Sequence, residues 1–504
     1  MDKLTKICWK QLAFFAPLLS LVILLGGCAS NAGLSTQSRI SSPSNLSAGK
    51  SLANPGAKYA STWPVLDWWH ALGDAQLDAL IQEALQGNPD LAAADARIRQ
   101  ASTMAMNVNA SRFPVVNARG SVQGMHIPGE LLSAMAPDSS DQYVKIWTLG
   151  FSGSYKADLW GGERAAWESA LGQQHASEVD VQAARLTLSA DVAHAYARLA
   201  YAWQAHDLAQ KDADRSQHLL DLATQRVSAG IDSIGQQRQA EATAAAARQQ
   251  VAQSAHAIES GQIALAILIG KGPDRAAEIT RPAALQPLAL AVPDNLPADL
   301  LGRRPDIVAA RWRVEAAQRD IDASKAEFYP SFNLTAAFNL MSLHSDDLLT
   351  LRSRYYTASP ALSLPIFDGG RLRAKLADRN AEYDIAVARY NKTLVGAFNE
   401  VALQIQAAQA LATQESEQLQ SVSAAREAWE LAMQRYRRGI SSYIEALNAE
   451  QSVLAKEATL AVIRAQRIDS AIQLVHALGG GYATESTGNT TPSTTQNTTG
   501  KVPS

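Results

Sequence analysis

The sequence predicts an α+β membrane protein built as two copies of one structural unit, with four amphipathic strands per chain continued by long coiled-coil helices. Three observations predict it. An ordered set of landmarks recurs once, roughly 210 residues further on. Two proline-free, Ala-rich stretches far exceed the length of a globular helix. Four segments alternate apolar and polar residues with period two.

The N-terminus sets the compartment. Lys3, Lys6 and Lys10 precede an apolar run from Leu12 to Leu25, broken only by Pro17 and Ser20. The run is short for a membrane span and reads as a removable signal over residues 1–27. It closes in Leu25-Gly26-Gly27-Cys28, which resembles the bacterial lipobox. Small residues admit the peptidase, and the Cys28 thiol is expected to take a diacylglyceryl group, with N-acylation after cleavage. Ala29 stands where an Asp would retain sorted lipoproteins in the inner membrane, so the outer membrane is expected. Several acyl chains anchor firmly, at about 0.8 kcal/mol per buried CH₂. The other cysteine, Cys8, leaves with the signal, so the mature chain forms no internal disulfide. Residues 28–60, rich in Ser, Asn and Gly, read as the lipidated N-terminus and a linker.

The repeat comes next along the chain. Pro89-Asp90-Leu91 recurs as Pro305-Asp306-Ile307, and Phe113-Pro114 as Tyr329-Pro330, about 216 residues apart. Trp160-Gly161-Gly162 then matches Asp368-Gly369-Gly370, and Gln225-Arg226-Val227 with Gly230-Ile231 matches Gln434-Arg435-Tyr436 with Gly439-Ile440. Ile269-Gly270 matches Leu478-Gly479. These later pairs lie about 208 or 209 apart, so the first copy carries a longer loop between Pro114 and Gly161. Repeat 1 is assigned to residues 61–290, with strands in 114–160 and helices in 162–269. Repeat 2 is assigned to 291–482, with strands in 330–367 and helices in 370–478. Residues 483–504 are a Thr/Ser/Asn/Gly tail expected to be disordered.

Within each copy a helix opens at Pro89 or Pro305, where proline suits a first turn. The stretches 162–227 and 370–436 are rich in Ala, Gln, Glu and Arg. At about 1.5 Å per residue each spans about 100 Å. Leu188, Val192, Ala195, Leu199 and Ala202, and Leu394, Phe398, Val401, Ile405 and Ala408, alternate steps of four and three. That is a coiled-coil seam.

Between the helices lie the strands. Val116, Ala118 and Val122 alternate with Asn117, Arg119, Ser121 and Gln123, and Trp147, Leu149, Phe151, Tyr155 and Ala157 with Thr148, Ser152, Ser154 and Lys156. The second copy sets Phe332, Leu334, Ala336, Phe338 and Leu340 against Asn333, Thr335 and Asn339. Its last segment sets Tyr356, Ala358, Leu362 and Leu364 against Tyr355, Thr357, Ser359 and Ser363. A membrane barrel with a wet lumen alternates this way, and so does a half-buried soluble sheet. Tyr143, Trp147, Tyr355 and Tyr356 lie near segment ends, where interfacial aromatics are expected. Four strands do not close a barrel; about eight is the minimum, and an open edge is not stable in lipid. Two chains would supply eight strands and three would supply twelve.

Lipobox, doubled architecture, Leu364-Pro365-Ile366-Phe367-Asp368-Gly369-Gly370-Arg371 and Leu478-Gly479-Gly480-Gly481-Tyr482 together resemble the TolC-like outer-membrane factor family. The segment from Trp63 to Leu80, with Trp68-Trp69 and Leu77-Asp78-Ala79-Leu80, resembles its NodT-type efflux lipoprotein branch. The resemblance implies a homotrimeric 12-stranded β-barrel continued by an α-helical barrel through the periplasm. It implies a periplasmic adaptor protein and an inner-membrane efflux transporter as partners, and export of drugs or other small toxic compounds. Adaptor contact is expected at the helix turns Gly230 and Gly439. Family members narrow this end with a tyrosine, basic and acidic residues near the second turn, and Tyr436, Arg437, Glu445 and Asn448 occupy those places. Asn448 stands where Asp is common, which removes one negative ring. Val227, Gln236 and Gln239 hold the equivalent places in repeat 1.

Other classes lack their chemistry. A net charge of −3 argues against a nucleic-acid binder. No His-Glu-x-x-His, Gly-x-Ser-x-Gly or Walker spacing is present, and Ile269-Gly270-Lys271-Gly272-Pro273 is not a phosphate loop. His175, His194, His206 and His218 lie on helix faces without ligand spacing, so neither enzyme activity, metal nor cofactor is expected. An exit channel for secreted proteins shares the architecture, and a pore-free envelope lipoprotein would share the helices and the lipid. Substitution Cys28→Ser is expected to abolish palmitate incorporation in growing cells and leave the signal uncleaved. Palmitate retained on that variant would remove Cys28 as the anchor.

Overall fold

The computed structural model describes residues 30–42, 63–129, 140–286 and 296–483. The signal segment 1–27, Cys28 and the tail beyond Ala483 lie outside the described residues.

A 3-10 turn at Trp68–Leu72 leads into α1 (Ala75–Gly87) and α2 (Pro89–Ala110), then strands β1 (Val115–Ile127) and β2 (Gln142–Ala157). Two long helices follow, α3 (Gly162–Ser228) and α4 (Ile234–Leu268). The order then recurs as α5 (Leu296–Arg303), α6 (Pro305–Ala326), β3 (Ser331–Ser342), β4 (Arg354–Ser363), α7 (Arg371–Arg437) and α8 (Tyr443–Ala477). Helix lengths come in pairs. α2 and α6 have 22 residues each, α3 and α7 have 67, and α4 and α8 have 35. The ends expected at 162–227 and 370–436 fall within one residue of those observed. Proline-free runs of good helix formers explain their continuity.

The chain divides into two compact units. The first comprises Met1–Asn45, Asp90–Val181 and Ala309–Gly396 and contains the sheet. The strands run in the order β1-β2-β3-β4, each pair antiparallel, so β1 and β4 are edges. Aspartates set the turn from sheet to helix. Asp158 accepts from Arg164 N at 2.9 Å, and Asp368 accepts from Gly370 N at 3.0 Å and Leu372 N at 2.8 Å. These cover N–H groups that a helix start leaves open. Trp160 stacks on Tyr329 at 4.9 Å between ring centroids and donates its indole N–H to Pro330 O at 2.7 Å.

The described part of the segment expected as a linker, residues 30–42, is held along α7. Gln37 N and Ser38 N donate to the Asp384 carboxylate at 3.0 and 2.8 Å, and Ser41 N donates to Asn391 Oδ1 at 2.8 Å. Asn391 Nδ2 returns a bond to Arg39 O at 3.0 Å, and Arg373 donates to Ser30 O.

The second unit comprises Leu46–Pro89, Gln182–Val308 and Ala397–Ser504. One carboxylate organises its start. Asp74 caps α1 by accepting from Gln76 N at 2.8 Å, and also accepts from Tyr196 Oη at 2.7 Å and Ala283 N at 2.9 Å. Tyr196 is fully buried, and burial with its bond to Asp74 pushes its phenol well above the usual range. The coiled-coil seam is covered at Leu188, Val192, Leu199, Leu394, Phe398, Val401 and Ile405. Its small positions are not: Ala195 and Ala202 are half-buried and Ala408 is exposed, so the seam of α7 opens at Ala408 before burial resumes at Glu415 and Val422.

The four long helices end alike. Gly230, Gly270, Gly439 and Gly479 all have positive φ, at 73°, 73°, 72° and 89°. The next N–H returns to the last turn in each: Ile231 to Arg226 O, Lys271 to Ala266 O, Ile440 to Arg435 O and Gly480 to Val475 O, at 2.8–2.9 Å. This left-handed glycine cap closes carbonyls that the helix leaves open. The ends of α4 and α8 are then capped from outside by different residues at matching places. Asn88 Nδ2 donates to Leu268 O at 2.8 Å, and Arg304 Nη1 donates to Ala477 O at 3.0 Å. Arg304 is only 5% exposed. Burial alone would lower its pKa, but Asp306 at 2.7 Å and Glu400 at 2.8 Å outweigh that and keep it charged.

Two glycines with the same backbone twist have different surroundings. A Cβ on Gly479 would meet Arg303 O at 1.9 Å, whereas one on Gly439 would meet nothing within 4 Å. Gly439→Ala is expected to cost only the left-handed penalty, about 1–2 kcal/mol. Gly479→Ala adds a backbone clash and should lower the apparent Tm, followed by circular dichroism, clearly further. Equal shifts for the two variants would refute the crowding argument.

Candidate functional site

Two places carry functional geometry, and each lies within one unit. The first is the sheet. Residues paired across antiparallel strands share a face, so the register sorts every strand side chain. One face carries Val116, Val122, Trp147, Leu149, Phe151, Leu334, Phe338, Tyr356 and Leu362. It is bare: Val116 is 70% exposed, Phe151 60% and Tyr356 75%. A half-buried soluble sheet would cover this face with a helix layer or a second sheet, and among the described residues of this chain none covers it. Basic residues on this face, Lys145 and Arg354, lie at the end nearest the β1–β2 and β3–β4 connections.

The opposite face is polar through its middle. Asn117 of β1 lies beside Ser152 of β2 and Ser121 beside Thr148, and Thr335 of β3 lies beside Ser359 of β4, while Val115, Ile146 and Met341 are apolar residues nearer its ends. Lys156 is paired with Glu163 at 2.6 Å. The aromatics expected at segment ends are there, with Tyr143, Tyr355 and Tyr356 exposed. Sequence inspection missed the second aromatic set, Trp160 and Tyr329, at the helix ends of the strands. Their place in the matched Trp160-Gly161-Gly162 and Tyr329-Pro330 landmarks is the signal that marks them.

The second place is the pair of helical turns. In the α7–α8 turn, Tyr436 packs on Tyr443 with ring centroids 4.9 Å apart. Glu445, in the first turn of α8, pairs with Arg435 at 3.4 Å rather than with Arg437. Arg437 and Asn448 are exposed, and neither side chain has an ion-pair or hydrogen-bond partner among the described residues. Thus Tyr436 and Glu445 are tied to the hairpin through Tyr443 and Arg435, neither of which was among the residues expected at the narrowing.

The α3–α4 turn carries a stronger lock than its sequence suggested. Arg226 grips Asp232 with two hydrogen bonds, 2.6 and 3.1 Å, which hold the Asp232 carboxyl below its usual range. Ser233 and Gln236 form a reciprocal capping box at the start of α4. Gln236 is therefore engaged in capping. Ile231, Ile234 and Ile440 stand exposed around Gly230 and Gly439.

Elsewhere in the second unit a cavity of about 500 Å³ is lined by Tyr201, Arg281, Glu415, Arg464 and Arg467. Burial pushes the Glu415 carboxyl up, but its bonds from Arg464 and Arg467 outweigh that and leave it below the usual range. His194 contacts Asp469 at 2.6 Å, and His175 contacts Glu178 at 3.1 Å. No cluster of His, Cys, Asp and Glu fit to hold a metal occurs among the described residues. No described helix is long and apolar enough to cross a membrane.

Comparison with known proteins matches this geometry. The profile of the family described as outer membrane efflux protein matches residues 80–271 and 296–480, once in each half of the chain. The fusaric acid resistance protein FusA of Burkholderia cepacia is 38% identical over 366 residues, 72% of this chain and 68% of that one. The multidrug resistance outer membrane protein MdtP of Shigella flexneri is 34% identical over 429 residues, 84% of this chain and 88% of that one. The crystal structure of the outer membrane protein VceC from Vibrio cholerae superposes with a TM-score of 0.77 at 34% identity. The match covers 83% of this chain and 100% of that one. The chain belongs to the outer membrane efflux protein family.

Proposed function

We propose that three copies of this chain close one 12-stranded barrel in the outer membrane. Their helices continue it as a duct through which a tripartite pump exports small toxic compounds. The bare apolar face of the sheet carries this reading. It exposes Val116, Phe151, Phe338, Tyr356 and Leu362 on one side, while the other side is polar. Lipid outside and water inside satisfy both faces at once. The helices add support. Ile267, Leu403 and Leu431 are large apolar residues left exposed on the long helices, as expected where neighbouring copies pack.

The paired helix lengths, the matching glycine caps and the double family match support an internal duplication. With three copies, six helical hairpins surround the duct. Relatives named for multidrug and fusaric acid resistance favour small-molecule cargo over secreted protein. The role is transport, not catalysis, and selection among cargoes falls mainly to the inner-membrane transporter. The lipid on Cys28 anchors the chain in the outer membrane. A periplasmic adaptor docks at the turns around Gly230 and Gly439, where the exposed isoleucines offer apolar contact.

Tyr436 and Glu445, each held inside its own hairpin, narrow the periplasmic entrance, and docking of the adaptor draws the α7–α8 hairpin outward. Arg437 and Asn448 lie beside them without holding the turn. The purified protein in planar lipid bilayers is expected to form ion-conducting trimers. Tyr436→Ala with Glu445→Ala is expected to raise single-channel conductance several-fold. Unchanged conductance removes the two as gate residues, and a protein that never conducts removes the channel reading.

A further inference from the structure

The strand register sets one charge apart. On the polar face the only charged strand residues are Arg119 and Lys156. Lys156 is engaged by Glu163, whereas Arg119 is exposed and has no ion-pair partner among the described residues. Its row across the sheet runs Arg119, Gly150, Asn339, Tyr355. Gly150 is empty for a steric reason: a Cβ there would lie 2.1 Å from Asn339 Oδ1 and 2.5 Å from Phe338 O. No side chain can therefore stand next to Arg119 on β2. The next groups in the row are an amide and a phenol, both able to donate to an anion.

We infer that Arg119 and its two symmetry copies form a positive ring in the lumen that favours anionic solutes, with small carboxylate-bearing molecules as the cargo class. The inference rests on the closed trimeric barrel proposed above. Twelve strands about 4.8 Å apart and tilted about 40° give a backbone radius of about 12 Å. An extended arginine covers roughly half of that, so each guanidinium reaches to about 6 Å from the axis. The Debye length is about 10 Å at 0.1 M salt, so the three fields overlap across the whole opening. A guanidinium fork matches a carboxylate with two parallel hydrogen bonds. Exposure keeps each contact weak, which suits a passage rather than a binding site.

The test is the ratio of anion to cation permeability, read from the reversal potential of the purified protein in planar bilayers across a KCl gradient. Arg119→Gln is expected to conduct and to lower the ratio by about threefold or more, and Arg119→Glu to lower it further. Arg119→Lys should keep most of it. Lys145→Gln removes the same charge from the apolar face and should leave the ratio unchanged. The inference is overturned if Arg119→Gln and Arg119→Glu conduct with the ratio of the unaltered protein, or if Lys145→Gln shifts it as much. In both of those cases the channel itself stands. If the unaltered protein never conducts, the barrel reading fails and the inference falls with it.

Discussion

The two unpaired edges, β1 and β4, constrain everything else in this molecule. Each edge presents a row of backbone N–H and C=O groups, and the sheet between them turns a bare apolar face outward. Water tolerates the edges but not that face; lipid tolerates the face but not the edges, at several kcal/mol for each open group. Pairing the β4 edge of one chain with the β1 edge of the next removes both costs together. Strand insertion and assembly are then one event in the proposed barrel.

The helices work under a different constraint. A helix of 67 residues satisfies its backbone internally, so its energetic risks concentrate at its ends. Here each end has a dedicated device. Asp158 and Asp368 close the starts, and glycines in the left-handed conformation close the finishes. The inner hairpin ends differ in kind. The first is gripped by the charged Arg226–Asp232 pair, the second by ring contact between Tyr436 and Tyr443 and a longer Arg435–Glu445 pair. The second turn also lacks a side-chain cap at Ser442, where Ser233 supplies one in the first. The looser turn is the one better suited to move.

Much of the fold was legible because its signals are periodic and local. The strands announced themselves by alternation and the long helices by absence of proline. The helix ends fall within one residue of those observed, while β1 runs on to Ile127 and β2 begins at Gln142, beyond the alternating residues. The glycines at 230 and 439 were legible as turns because few other residues adopt that twist readily. Side-chain partnerships were not legible. That Glu445 answers Arg435 and not Arg437 depends on helical phase across a turn. That Asn88 and Arg304 perform one task, capping a carbonyl of the paired helix, is hidden by their dissimilar chemistry. Tyr196 fell outside the expected seam, yet it is buried because Asp74, distant in sequence, receives its hydroxyl.

The sequence by itself determined the doubled order of elements, the helix lengths and the two-faced character of the strands. Each follows from covalent neighbours through period, propensity and turn chemistry. Tertiary structure decided what the faces meet. It left the apolar strand face uncovered, laid residues 30–42 along α7, and brought Asn339 of β3 close over Gly150, in the row of Arg119. These depend on which segments come together in space, and pairing between residues hundreds of positions apart leaves no trace in a local pattern.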